Sequence, residues 1–267
     1  MKIIEFIGTP GSGKTTLVPA VVETLQELGL GAYTVIEAAR PFAKRTLAGK
    51  IICRLTPSSF HRPLLWQVFY HLSTLYRLKF FIGHPRLIRQ VLASQRRRPI
   101  PAAARRYALY WFFHLVGYYE FLKAHARLDE VLIFDEGFIH RVVQLFASEV
   151  EEPDPTQVRA YIDLLPQPDL VIAPQAPLEV CIDRIYQRGL WERFSQKSPA
   201  EVSLFMKNCF LVVNLALVHI RSEGWNVIEI DSGNLDPGKS KAELRAKLSS
   251  LPGIAHPQSQ FHPTMEY

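Results

Sequence analysis

Residues 2–7 (KIIEFI) form a short, mostly apolar run, and Gly8-Thr9-Pro10-Gly11-Ser12-Gly13-Lys14-Thr15 follows without a break. Every fixed position of the spacing GxxxxGK[ST] is filled. The residue types answer a physical need. Glycines let the backbone curl so that successive N–H groups point inward around an anion, and a helix beginning at the lysine adds its positive end. Such a helix is in the pattern: Leu17, Val18, Val21, Val22, Leu25 and Leu28 recur near helical period over residues 15–28, and Gly29 and Gly31 stop it. Strand, glycine loop and helix in this order predict a phosphate-binding loop. Its expected contacts are Gly8, Gly11, Ser12, Gly13, Lys14, Thr15 and Thr16, with Lys14 at the β- and γ-phosphates of ATP and the Thr15 hydroxyl on Mg²⁺.

The rest of the chain alternates in the same way. Residues 32–36 (AYTVI) read as a second strand that delivers Glu37 at its end, 131–134 (VLIF) as a third ending in Asp135 and Glu136, 170–173 as a fourth and 227–230 (VIEI) as a fifth. Helical patterns fill residues 138–148, 156–164, 178–188, 199–221 and 240–248, and a long helical stretch from 59 to about 127 is broken at 83–85 and 99–101. Alternation of this kind predicts a three-layer α/β/α P-loop fold with a five-stranded parallel sheet and a helical insertion between strands two and three. One domain over residues 1–250 is expected, with 59–127 as the insertion, 187–198 as a lid and 251–267 as a loose tail carrying Pro252, Pro257 and Pro263. Apolar residues at 48% and charged residues at 21% exclude bulk disorder.

Asp135, at the end of a strand beside the first, is the natural carboxylate for Mg²⁺, directly or through water. Glu136 either deprotonates a nucleophile or sits in the acceptor pocket. Arg184 and Arg188 lie four apart on one helical face, with Arg193 just beyond, which suits arginines that close over a transferring phosphoryl group.

Four pieces together resemble the nucleoside and nucleotide kinase group of P-loop proteins, and within it thymidylate kinase. These are FIGTPGSGKTT, the VIEAARP segment, the stretch DLVIAPQAPLEVCIDRIYQRG and the strand WNVIEID. The resemblance implies ATP- and Mg²⁺-dependent transfer to a small acceptor, with Glu37 and Arg40 at the acceptor, Arg184 and Arg188 as lid residues, and Lys14, Asp135 and Glu136 in the chemistry. Thymidylate kinases carry Asp-Arg where this chain has Asp135-Glu136-Gly137 with Arg141 one turn on, so Arg141 is the candidate substitute and the acceptor itself is not carried over.

Charge is distributed unevenly. Between Glu37 and Glu120 there is no acidic residue, while fifteen Lys and Arg lie there, so that stretch carries +15 and the remainder −9 within a net +6. An anionic partner for the middle of the chain follows. It is either the acceptor, held by a subset including Arg40, Arg77 and Arg86, or an anionic membrane surface met by the basic amphipathic helix over residues 86–98 and the aromatic-rich residues 107–119. Gln95, Arg96, Arg97, Arg98, Arg105 and Arg106 accompany no nucleic-acid module, so nucleic acid is not the expected partner. The competing class is a P-loop ATPase or switch whose insertion docks on membrane or nucleic acid.

Three cysteines without CxxC spacing support neither a disulfide framework nor a zinc module and fit a reducing cytoplasm. The start MKIIEFIGTP lacks the features of a signal peptide, and residues 107–122, read as the most apolar stretch, are too short and too interrupted to span a bilayer. A homodimer is left open.

Overall fold

A computed structural model describes residues 1–190, 194, 197–233 and 237–251. Five strands, β1 (Lys2–Phe6), β2 (Gly31–Thr34), β3 (Glu130–Phe134), β4 (Leu170–Gln175) and β5 (Val227–Asp231), lie in the order β2-β3-β1-β4-β5. Every pairing is parallel, and β1 is central: Ile4 stands opposite Ile133 on one side and Leu170 on the other. A parallel sheet needs apolar residues on both faces, and these strands have them. Ile4, Phe6, Val131, Ile133, Leu170, Ile172, Ile228 and Ile230 face α1 (Lys14–Glu27) and α11 (Pro237–Ser250). Ile3, Ile7, Leu132, Phe134, Val171 and Ala173 face a second core filled from the remaining helices. Burying each such side chain is worth about 1.5–3 kcal/mol, so the alternation fixes which way every strand faces. The three-layer α/β/α architecture is therefore as the sequence pattern implies.

The remaining helices are α2 (Val35–Arg45), α3 (Leu47–Leu55), α4 (His61–Gly83), α5 (Pro85–Arg97), α6 (Ala102–His125), α7 (Arg141–Phe146), α8 (Pro155–Ile162), α9 (Leu178–Arg188) and α10 (Pro199–Ser222). α4, α5 and α6 form the insertion, broken where His84 and the Pro99–Pro101 run interrupt the period. Two expectations are corrected. β2 ends at Thr34 rather than continuing through Ile36, because Thr34 and Glu37 form a capping box: Thr34 Oγ1 accepts from the Glu37 amide at 3.3 Å, and the Glu37 carboxylate accepts from the Thr34 amide at 2.9 Å. The helix read over residues 138–148 is only the short α7.

Among the described residues, α10 rather than the stretch at 107–122 is long and apolar enough to cross a membrane by length and composition. Half of its most apolar stretch is buried in the fold, and Asn208 in it donates to the carbonyls of Ser148 and Glu151 at 2.8 and 2.9 Å. It is a core helix of this domain. Arg193 lies outside the described residues, as do residues 252–267 of the anticipated tail and part of the anticipated lid. Cys181 and Cys209 are buried and Cys53 is half-buried, and none of the three is joined in a disulfide.

Candidate active site

The loop after β1 turns on two glycines. Gly11 and Gly13 adopt φ of 84° and 91°, a region where a side chain is strained. A Cβ on Gly11 would also collide with the Cys181 carbonyl. With those turns made, Ser12 donates its amide to the Thr9 carbonyl at 3.0 Å and α1 begins at once. Lys14, the first residue of α1, folds its Nζ back to donate to the Gly8 carbonyl at 2.7 Å and the Thr9 carbonyl at 3.3 Å. Loss of solvation pushes its pKa down to about 8, and the Glu136 carboxylate is the largest influence in the other direction.

A cavity of about 460 Å³ opens above this loop. Gly11, Gly13, Lys14, Thr15 and Thr16 line it from below, Glu136 and His140 from the β3 side, and Arg184, Arg188, Ser232 and Ser240 from the far side. Parallel strands explain the convergence: β1, β3, β4 and β5 all end on this edge of the sheet, so the segments following them meet there.

Glu136 is held from behind. Its Oε2 accepts from Arg141 Nη1 at 3.2 Å and from Gln144 Nε2 at 3.3 Å, and Arg141 Nη1 also donates to Gln144 Oε1. Arg141 is buried, so it braces Glu136 and does not line the cavity. Asp135 precedes this carboxylate and is not among the lining residues; its Oδ1 accepts from the Glu136 amide at 3.0 Å. Loss of solvation, and then the adjacent Glu136 charge, push the Asp135 carboxyl above its ordinary value.

On the opposite wall the Arg184 guanidinium donates to the Gly11 carbonyl at 3.3 Å and to the Ser232 carbonyl at 2.8 Å. Ser232 Oγ donates in turn to the Ser12 carbonyl at 2.7 Å. The first residue after β5, the loop after β1 and the helix after β4 are thereby tied into one wall.

Glu37 and Arg40 fall outside this arrangement. Glu37 is spent on the α2 capping box and exposed, and Arg40 is exposed on α2. Arg77, expected at the acceptor, donates to His114 Nδ1 at 3.3 Å on the insertion, and Arg86 is exposed; neither lines the cavity. Conversely, His140, Ser232 and Gln144 were not singled out by sequence. His140 is 4% exposed, and loss of solvation, then Lys14 and Arg141, hold its imidazole neutral, well below the ordinary value. Only Ser232 carried a signal, as the residue directly following WNVIEID.

The donor set suits a nucleotide and a hard cation. The loop amides and Lys14 offer an anion cradle, and Thr15 is exposed at the cavity floor. Among the described residues no cluster of three or more His, Cys, Asp or Glu could cage a metal. A hydroxyl and one or two carboxylates match an ion held largely by phosphates and water, as Mg²⁺ is.

No protein-family model matches the chain, and no curated protein matches it. Three solved structures of deoxyadenosine kinase from M. mycoides are similar to it. The one with bound dCTP has 15% identity and a TM-score of 0.45, covering 93% of this chain and 100% of that one. The one with dCMP and dCDP has 17% identity and a TM-score of 0.42 over 94% and 100%. The one with dATP has 13% identity and a TM-score of 0.44 over 93% and 100%.

Proposed function

We propose that the protein is a P-loop phosphotransferase that moves the γ-phosphoryl group of ATP to a small acceptor, with Mg²⁺ bound alongside the nucleotide. The observation that carries this reading is the sharing of one cavity by Lys14 and its loop, the carboxylate Glu136 and the arginines Arg184 and Arg188. Phosphoryl transfer asks a protein mainly for positioning and for compensation of charge on the moving group. Lys14 and the loop amides bind the β- and γ-phosphates. Thr15 and Asp135 would hold Mg²⁺, which neutralises phosphate charge when bound. Arg184 and Arg188 face the same space and stabilise the charge that develops on the equatorial oxygens. Glu136 orients the acceptor hydroxyl and takes its proton, and the Arg141–Gln144 brace keeps its carboxylate turned to the cavity. Glu37, already committed to a helix cap, has no part in this scheme.

Lys14→Ala should abolish turnover while leaving the circular dichroism spectrum and melting profile intact. Wild-type rates in that variant would end the assignment. The measurement that separates a kinase from an ATPase or switch is ADP release with and without candidate acceptors. A phosphorylated product formed along with ADP supports the kinase. Free phosphate alone, stimulated by vesicles or nucleic acid, supports the other class.

A further inference from the structure

α3 is amphipathic with its apolar stripe turned outward. Leu47, Ile51 and Leu55 recur every four residues and are 76%, 48% and 75% exposed. The side toward the fold carries Gly49, so close to α2 that a Cβ there would collide with the Ala43 carbonyl. Lys50 and Arg54 are exposed on the same helix, and Lys44 is exposed just before it. Phe60 beyond the helix is exposed as well, and on α4 Leu75, Leu78 and Ile82 share one helical face and are exposed. Exposed apolar stripes of this kind mark a contact site.

We propose that α3 and the outer side of α4 dock on an anionic lipid bilayer. The occupant follows from charge. No Asp or Glu occurs between Glu37 and Glu120, so the basic residues on this face have no acidic neighbours within these helices. The acidic partners that do reach the stretch, Glu130 to Arg45, Glu120 to Lys79 and Glu151 to Arg98, leave Lys44, Lys50, Arg54 and Arg62 out of any ion pair described. A second copy of the chain would set this basic face against its own like. An anionic bilayer offers both required halves: phosphates for the lysines and arginines, and acyl chains for the leucines and isoleucines. The helix that the sequence pattern favoured for this role, α5, is excluded because its apolar residues Leu87 and Val91 are buried in the fold. No residue of α3 or α4 lines the phosphate cavity, so docking leaves it open.

The test is co-sedimentation of the full chain with vesicles of phosphatidylcholine alone and of phosphatidylcholine mixed with phosphatidylserine, at low and high salt. Pelleting is expected only with phosphatidylserine and should weaken with salt. Two variants sharpen it: Leu47→Ser with Ile51→Ser and Leu55→Ser, and Lys50→Glu with Arg54→Glu. All five side chains are exposed, so the fold should hold, which thermal melting checks, and each variant should lower vesicle partition by at least about tenfold. Titration with a fluorescent ATP analogue should give wild-type affinity in both, which keeps this surface separate from the phosphoryl-transfer reading. The proposal is overturned if wild-type protein stays in the supernatant at low salt, or if the triple serine variant pellets like wild type. A wild-type dimer in light scattering that becomes monomeric in the serine variant would overturn it in favour of a second copy.

Discussion

Glu5 places a carboxyl near the C-terminal end of the central strand, 1% exposed. Its Oε2 accepts from the Ile139 amide at 2.8 Å, and a Cβ on Gly137 would collide with its carboxyl group, so it underlies the turn that carries Asp135 and Glu136. Loss of solvation pushes its pKa up to about 7, against the Ile139 and Phe138 amides and the Arg141 charge. The folded state thus holds a proton that the unfolded state releases near the ordinary value of 4.5. Between those values the native chain binds more protons, so stability falls as pH rises through the window, by on the order of 3 kcal/mol in all. Glu5→Gln should flatten that dependence, which urea unfolding at several pH values would measure; an unchanged slope would contradict the account. Lys14 works in the opposite charge sense. With its pKa pushed down to about 8 by loss of solvation, it loses its positive charge as pH rises past that value. Bound phosphates favour the charged form, so nucleotide binding should take up a proton and affinity should fall above that pH by up to about tenfold per unit. Calorimetric titration in buffers of different ionisation heat reads both effects.

At the scale of elements, α4 and α6 pack tightly against each other at Gly117. A Cβ there would run into the Ser73 carbonyl. Around that point Phe69 meets Tyr118 at 4.9 Å and Tyr76 meets Phe121 at 5.7 Å between ring centroids. Gly117→Ala should therefore lower the melting temperature: overpacking costs about 1–3 kcal/mol, more than the roughly 1 kcal/mol that alanine gains in a helix. Nucleotide affinity should not move, because neither helix lines the cavity. The same elements show what sequence could convey. α4, α5 and α6 were legible because proline and glycine interrupt long helical periods, and α9 because its period ends at a glycine with φ of 91°. α2 was not, because Val35 and Ile36 are β-branched residues continuing a strand pattern, and the capping signal Thr34-x-x-Glu37 overrides it. Lys14 and its loop were legible since their neighbours are contiguous in the chain. His140 and Glu5 were not, since their surroundings come from segments remote in sequence.

For the whole molecule, a nucleotide that fits the cavity should raise the melting temperature in proportion to the logarithm of its concentration above its dissociation constant. A thermal scan with ATP and Mg²⁺ checks this, and Lys14→Ala should remove most of the shift. The charge split of +15 and −9 also takes on a spatial meaning: the basic stretch forms α2, α3 and the insertion helices beside the sheet, while Lys14 and the other cavity residues lie outside it in sequence. The strand order has a consequence in time. β1 is made before either of its neighbours, yet Ile4 pairs with Ile133 and Leu170. During synthesis one edge of this strand waits unpaired until residues 131–134 have been translated and the other until residues 170–172, and a chaperone that shields residues 2–7 should raise the folded yield of nascent chains more than one acting on any later strand.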